Sequence, residues 1–217
     1  MRAYPKRYAL LFAGLILCFS SGCSNFLYSP DKSTTVFLDT YNIQQPTSPS
    51  DFTTCNHYDC DGGGATVSLS AKQWQSIQTL FTPPSATASE ERGRIAEAVA
   101  LMEKYIGRQN NTFADQAGND FKDPIESYQH DCVAETVNST IYLLLLKKEQ
   151  LLRWHQVSYP AHRSVATILF QHYSAVIKEI DSDDLYVVDS WFFANGEKPI
   201  IIPLAQWSKN YYPKPCS

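Results

Sequence analysis

Apolar residues recur at three- and four-residue intervals in three stretches of the chain, then give way to dense β-branched and aromatic runs. Trp74, Ile77, Leu80 and Phe81 predict a short helix that Ser70 caps and Pro83-Pro84 stops. Ile95, Val99, Met102 and Ile106 form a second stripe, opened by Ser89 with Glu90 and Glu91 in its first turn and closed at Gly107. The third stripe, Val133, Val137, Ile141, Leu144, Leu145, Leu151 and Leu152, predicts a helix running to about Arg153. Asp131 is its candidate N-cap and Cys132 lies in its first turn.

Beyond it, Trp154-His155 leads into a connection through Pro160, Ala161, His162 and Arg163. The runs 165–180 and 185–193 flank the turn chemistry of Asp181-Ser182-Asp183-Asp184 and predict a β-hairpin. Asn195-Gly196 turns the chain toward Ile200-Ile201-Ile202, which Pro199 and Pro203 limit to a short or edge strand. Helices followed by antiparallel strands describe an α+β domain over 66–217.

The first residues are different in kind. Arg2, Lys6 and Arg7 precede an apolar run from Ala9 to Phe19, then Ser20-Ser21-Gly22-Cys23, so 1–22 is read as an export signal. Small residues before a cysteine after such a run resemble the lipobox of bacterial lipoproteins. That resemblance implies cleavage before Cys23, which becomes the acylated N-terminus, and a lipid-anchored protein of the cell envelope. Ser24, rather than an aspartate, resembles the sorting pattern for the outer membrane, with the body facing the periplasm. An ordinary secretory signal or an uncleaved anchor is the alternative. Residues 23–65, rich in Ser, Thr, Pro, Asn and Gly, are read as a tether and irregular extension that carries the body away from the membrane.

Removing 1–22 deletes three basic and no acidic residues, so 15 Lys+Arg remain against 22 Asp+Glu and the formal charge is -7. That balance excludes nucleic acid as an expected partner. The 44% hydrophobic and 13% aromatic content argues against a disordered chain. With Cys18 in the signal and Cys23 acylated, Cys55, Cys60, Cys132 and Cys216 are left, and Cys55 with Cys60 is the natural disulfide pair in an oxidising compartment. The Cys55–Cys60 segment lacks the second half of a zinc-type spacing, and His155, His162 and His172 lack one too, so neither a metal nor another cofactor is expected.

Cys132 at a helix start is the candidate nucleophile, because unpartnered first-turn N–H groups favour a thiolate. A basic partner is needed, and His172 is the candidate. Sixteen residues separate it from Asp189 on the next strand, and an even number puts both side chains on one face of an unbulged hairpin. A carboxylate beside an imidazole fixes its tautomer and lets the other nitrogen take a thiol proton. The first-turn N–H of Cys132, with Gln129 and Asn119 as side-chain candidates, would serve a developing oxyanion. The competing reading makes Cys132 a buried small residue or the partner of Cys216.

A cysteine opening a helix, His172-Tyr173-Ser174-Ala175-Val176-Ile177 on a strand, and Val187-Val188-Asp189-Ser190-Trp191 on the next, over about 125–205, is similar to the transglutaminase-like, papain-related cysteine hydrolases. Asp115-Gln116-Ala117-Gly118-Asn119, Leu152-Arg153-Trp154-His155 and Pro160-Ala161-His162-Arg163 also look like an uncharacterised group of exported proteobacterial lipoproteins. The resemblance implies Cys132 as nucleophile, His172 as base and Asp189 as orienting acid, acting on peptide or other amide substrates in the envelope. Neither the Gly-Gln-Cys-Trp motif of animal transglutaminases nor a calcium loop is present, so hydrolysis is expected over crosslinking. The rival function is an inactive envelope module that binds a partner through an aromatic surface near Trp154, Trp191 and Phe192.

Overall fold

The computed structural model describes residues 26–29, 32–61, 63–118, 129–164 and 171–213. Residues 1–22, read as an export signal, with Cys23, the candidate Asn119, the residues 165–170 read as the start of the hairpin, and Cys216 lie outside them. In chain order the elements are β1 (Phe26–Leu27), α1 (Thr34–Thr40), β2 (Phe52–Cys55), a 3-10 turn (Tyr58–Cys60), β3 (Gly64–Val67), α2 (Ala71–Leu80) and α3 (Ala88–Asn110). There follow α4 (Cys132–Lys148), β4 (His155–Ser164), β5 (Gln171–Glu179), β6 (Leu185–Asp189), β7 (Ile200–Pro203) and α5 (Leu204–Trp207). Five antiparallel strands in the order β1-β4-β5-β6-β7 make one sheet, and β2 with β3 a small second one. The class is α+β. Among the described residues no helix is long and apolar enough to cross a membrane.

Two helices start where their side chains can satisfy orphan N–H groups. Ser70 and Gln73 cap each other reciprocally at the head of α2. α3 begins one turn-fraction earlier than the Ser89 reading, because Thr87 accepts from Glu90 N and Glu90 reaches back to Ala86 N. It also runs past Gly107, whose role is contact: a Cβ there would lie 2.7 Å from Asn195 Oδ1. α4 stops at Lys148, short of the expected Arg153. Gln150 takes a left-handed conformation (φ 58°), so Leu151 N donates back to Leu146 O and Gln150 N to Lys147 O. This closure is the one glycine usually makes, which is why no residue type announced it.

Every residue of α4 from Cys132 to Leu146 is buried. One side of it lies on β5 and β6 through Ala175, Ile177 and Val188, and the rest is wrapped by α3, β2 and the N-terminal segment in one continuous core. The opposite sheet face carries Val176 and Val187 and is covered by Leu204 and Trp207 of α5.

Two expectations fail here. The tether read into 23–65 is folded from Thr34 onward: Phe37, Leu38, Ile43 and Phe52 join the core, and a disulfide closes Cys55 to Cys60. Its apolar residues are too sparse for a periodic signal, yet they fill the side of α4 that the sheet leaves open. The connection read around Pro160 is strand β4, between β1 and β5. Its register slips between Ser158 and Ala161, so Pro160, which has no N–H to give, falls in a bulge. Strand β6 ends at Asp189, short of Phe193.

Glu91 joins α3 to the start of β4, accepting from Arg153 N (2.7 Å), Trp154 N (2.9 Å) and His155 Nδ1 (2.9 Å). Burial works to raise its pKa, but these donors outweigh it and hold the carboxyl below its ordinary 4.5. A depressed native pKa gives stability that is present above the unfolded value and lost as pH falls through the native one. Glu91→Gln is therefore expected to cost about 2–3 kcal/mol at neutral pH. In urea titrations the gap between variant and wild type should narrow as the pH is taken below 4.5.

Candidate active site

Asp131 builds the start of α4. Its Oδ1 accepts from Ala134 N at 2.9 Å and from Asp59 N at 3.0 Å, so one carboxyl oxygen caps the helix and pins the disulfide loop to it. Cys55 is held to the same helix two turns on, its N donating to Asn138 Oδ1 (2.7 Å) and its O accepting from Asn138 Nδ2 (3.1 Å). Cys132 is a buried thiol in the first turn, and its Sγ lies 3.5 Å from Gln171 O, the residue before His172. It clusters with Val133, Trp191 and Phe192, against which Tyr41 and Tyr173 also pack.

His172 Nε2 and Asp189 Oδ2 are 2.8 Å apart, both side chains being buried. The ladder pairs Ala175 with Val188, which by continuation sets Asp189 opposite Ser174 and diagonal to His172 on the same face. The hairpin spacing thus brings these two together across a two-residue offset. Trp207 Nε1 donates to the same Asp189 oxygen at 2.7 Å, and the ring centroids of Trp191, Phe192 and Trp207 lie 4.7, 5.3 and 5.5 Å from that of His172. The imidazole is boxed by aromatic rings and has Nδ1 as the nitrogen not engaged by Asp189.

Trp191 links the two halves, since it clusters with Cys132 and stacks obliquely on His172. Arg163, opposite His172 on β4, lies over the Trp207 ring and donates to Trp207 O and Tyr211 O. Burial lowers its pKa, while attraction from Asp189 and Cys132 opposes that. Strand alternation sets a limit on the arrangement. His172 and Asp189 share parity with Val176 and Val187, whereas α4 packs on the face of Ala175, Ile177 and Val188. The thiol therefore meets β5 at its first residue, through Gln171 O, while the ring lies on the other face of the strand.

The other candidates have different employment. Gln129 Oε1 accepts from Gln116 N (3.0 Å) and its Nε2 donates to Ala114 O (3.1 Å), so its amide braces the loop after α3. Trp191 and Phe192, expected as an exposed aromatic surface, are buried around His172. His155 bonds Glu91 and His162 stacks on Tyr173 at 4.9 Å, so the three strand histidines share no site. Between Tyr41 and the disulfide loop lies a cleft of about 310 Å³ lined by Thr40, Tyr41, Asn42, Asp59 and Asp61.

Sequence reasoning missed Trp207 and Arg163, whose approach to Asp189 depends on long-range packing. It also missed a second group beside the helix start. His130 Nδ1 lies 3.0 Å from Glu135 Oε1, and His130 N donates to Asp115 Oδ1 at 2.7 Å. Burial, then repulsion from Glu135, pushes the Asp115 carboxyl up to about 7. Burial, with Asp189 and Asp131 nearby, pushes Glu135 up to about 8, and burial with Glu135 raises Glu103 well above the carboxylate range. His130-Asp131-Cys132 followed by Glu135 is the local signal that could have found it: an imidazole and a carboxyl on either side of a helix cap.

Comparison with protein-family models, with curated proteins and with solved structures returned no match.

Asp131→Ala removes the acceptor for Ala134 N and Asp59 N and is expected to lower the urea unfolding free energy by about 1–2 kcal/mol. Asp131→Asn keeps a carbonyl oxygen in that place and should lose less than half as much.

Proposed function

We propose that this chain is a lipid-anchored cysteine hydrolase of the cell envelope, built on a transglutaminase-like core and acting on peptide or other amide bonds. The observation that carries the reading is the buried His172–Asp189 pair at 2.8 Å, with the Cys132 thiol against the carbonyl of the preceding Gln171. The resemblance of the Cys132, His172 and Asp189 segments to that family supplies the order of roles. No cofactor is required.

In this reading Asp189 holds the Nε2–H tautomer and Trp207 helps to orient Asp189, so that Nδ1 takes the thiol proton. The sulfur attacks the substrate carbonyl carbon, forming a C–S bond and an oxyanion, for which first-turn N–H groups of α4 are the nearby donors. Collapse breaks the C–N bond, and the amine leaves with the proton from Nδ1. Water then gives a proton to Nδ1 and attacks the thioester, whose C–S bond breaks to release the acid and restore the thiol.

Acyl chains on Cys23 would anchor the protein, in the outer membrane facing the periplasm by the Ser24 pattern. Phe26 and Leu27 already pair with Arg163 and His162, so two residues separate such an anchor from the sheet. At about 3.5 Å per residue the body would sit on the bilayer surface instead of being carried away from it.

A second reading, an inactive binding module, has one observation behind it: the Cys132 sulfur contacts a backbone carbonyl, and His172 has the parity of the sheet face away from α4. Thiol labelling separates the two. Iodoacetamide should alkylate Cys132 of the folded protein, and His172→Ala should slow that at least tenfold. Wild type, but not Cys132→Ala, should release new peptides from envelope extracts, and Asp189→Asn should reduce their release on the order of a thousandfold. A thiol that reacts no faster in wild type than in His172→Ala, with no released peptide, would establish the module instead.

A further inference from the structure

Three side chains outside the proposed triad converge beside the head of α4: Asp115 from the loop after α3, His130 just before the helix, and Glu135 in its first turn. All three are at least nine-tenths buried, and one ligand atom from each lies within 4.8 Å of the others. Their hydrogen bonding is incomplete. His130 Nε2, Glu135 Oε2 and Oε1 of the neighbouring Glu103 are buried without a hydrogen bond of good geometry, their neighbours being the Cys55 backbone for His130, Asp115 for Glu135 and Ser190 for Glu103, whose other oxygen accepts from Gly196 N. Charge is out of balance as well. Of the groups acting on Asp115, Glu135 and Glu103, His130 is the basic one. Three carboxyls around one imidazole, out of water, call for a cation or for protons.

We propose that Asp115, His130 and Glu135 form a zinc site, with water in the fourth position, that fastens the loop after α3 to the start of the Cys132 helix. The donor set favours zinc over the hard cations, since one imidazole nitrogen and two carboxylate oxygens are too few and too mixed for calcium, which takes six to eight oxygens. Bonds of about 2.0–2.1 Å in a tetrahedron put ligand atoms about 3.3 Å apart. His130 Nδ1 and Glu135 Oε1 are at 3.0 Å already, so closing the site needs Asp115 to move by roughly an ångström or two. The backbone of His130 already orients Asp115 through its Oδ1 at 2.7 Å, the kind of supporting contact that metal ligands require.

The test uses the purified full chain, stripped with a chelator and given zinc chloride, with uptake read by equilibrium dialysis and elemental analysis and stability by thermal unfolding. One tight equivalent per chain and a higher unfolding temperature are expected. Glu135→Gln and Asp115→Asn, each checked for folding by circular dichroism, should weaken uptake at least a hundredfold and abolish the thermal shift. Calcium and magnesium should produce no shift. Wild-type uptake equal to that of a folded variant, a thermal shift with calcium instead of zinc, or uptake lost only on changing the exposed histidine of the Cys55–Cys60 loop, His57→Ala, would overturn the proposal. No substrate is involved, so the result stands apart from the fate of the hydrolase reading.

Discussion

A helix with no side toward water sets the terms for the rest of this fold. From Cys132 to Leu146 α4 is buried all round, so each polar group it carries must be answered by protein. Thr136 and Thr140 answer locally, each hydroxyl donating to the carbonyl four residues back at 2.7 Å. Asn138 takes both backbone groups of Cys55, Ser139 meets Ser190 at 3.1 Å, and Glu135 meets His130. The sheet, α3 and the N-terminal segment are positioned as much by these polar contacts as by the apolar packing between them.

The same burial concentrates charge at the helix head. Asp131, Glu135, Asp115 and Glu103 are held out of water near one histidine, and burial raises all four carboxyls. At the rim of the sheet a different solution is found. Asp189 has two donors on one oxygen, the His172 ring and the Trp207 indole, inside a box of aromatic rings. Glu135 and Glu103 each keep one oxygen without a well-placed donor, whereas one oxygen of Asp189 holds two.

Local periodicity was legible in the sequence and long-range pairing was not. The apolar stripes of α2, α3 and α4 stand in the chain because each buries a face, and the Ser70 and Asp131 caps stand there because short polar side chains precede them. His172 and Asp189 share a sheet face because β5 and β6 pair without a slip from Lys178–Leu185 to Ala175–Val188, and a two-residue diagonal offset keeps that parity. β4 was lost because Pro160 is a breaker in isolation, and only the bulge makes it tolerable in an inner strand. The ends of α3 and α4 were misplaced because Asn111 and Gln150 adopt left-handed closures that glycine more often supplies. Asp115, His130 and Glu135 could not be grouped from spacing alone, since Asp115 arrives from a separate loop.

The Cys55–Cys60 bridge closes a short loop whose Asp59 N–H is one of two donors on the Asp131 cap. Covalent closure shrinks the wandering of that loop when the chain is open, which is the usual origin of a bridge's contribution. Its effect therefore reaches the helix terminus through the Asp59 amide and the body of the helix through Asn138. In a reducing medium the clasp would slacken, and the first turn of α4 would rest on its own Ala134 bond, making that turn the place where fraying begins.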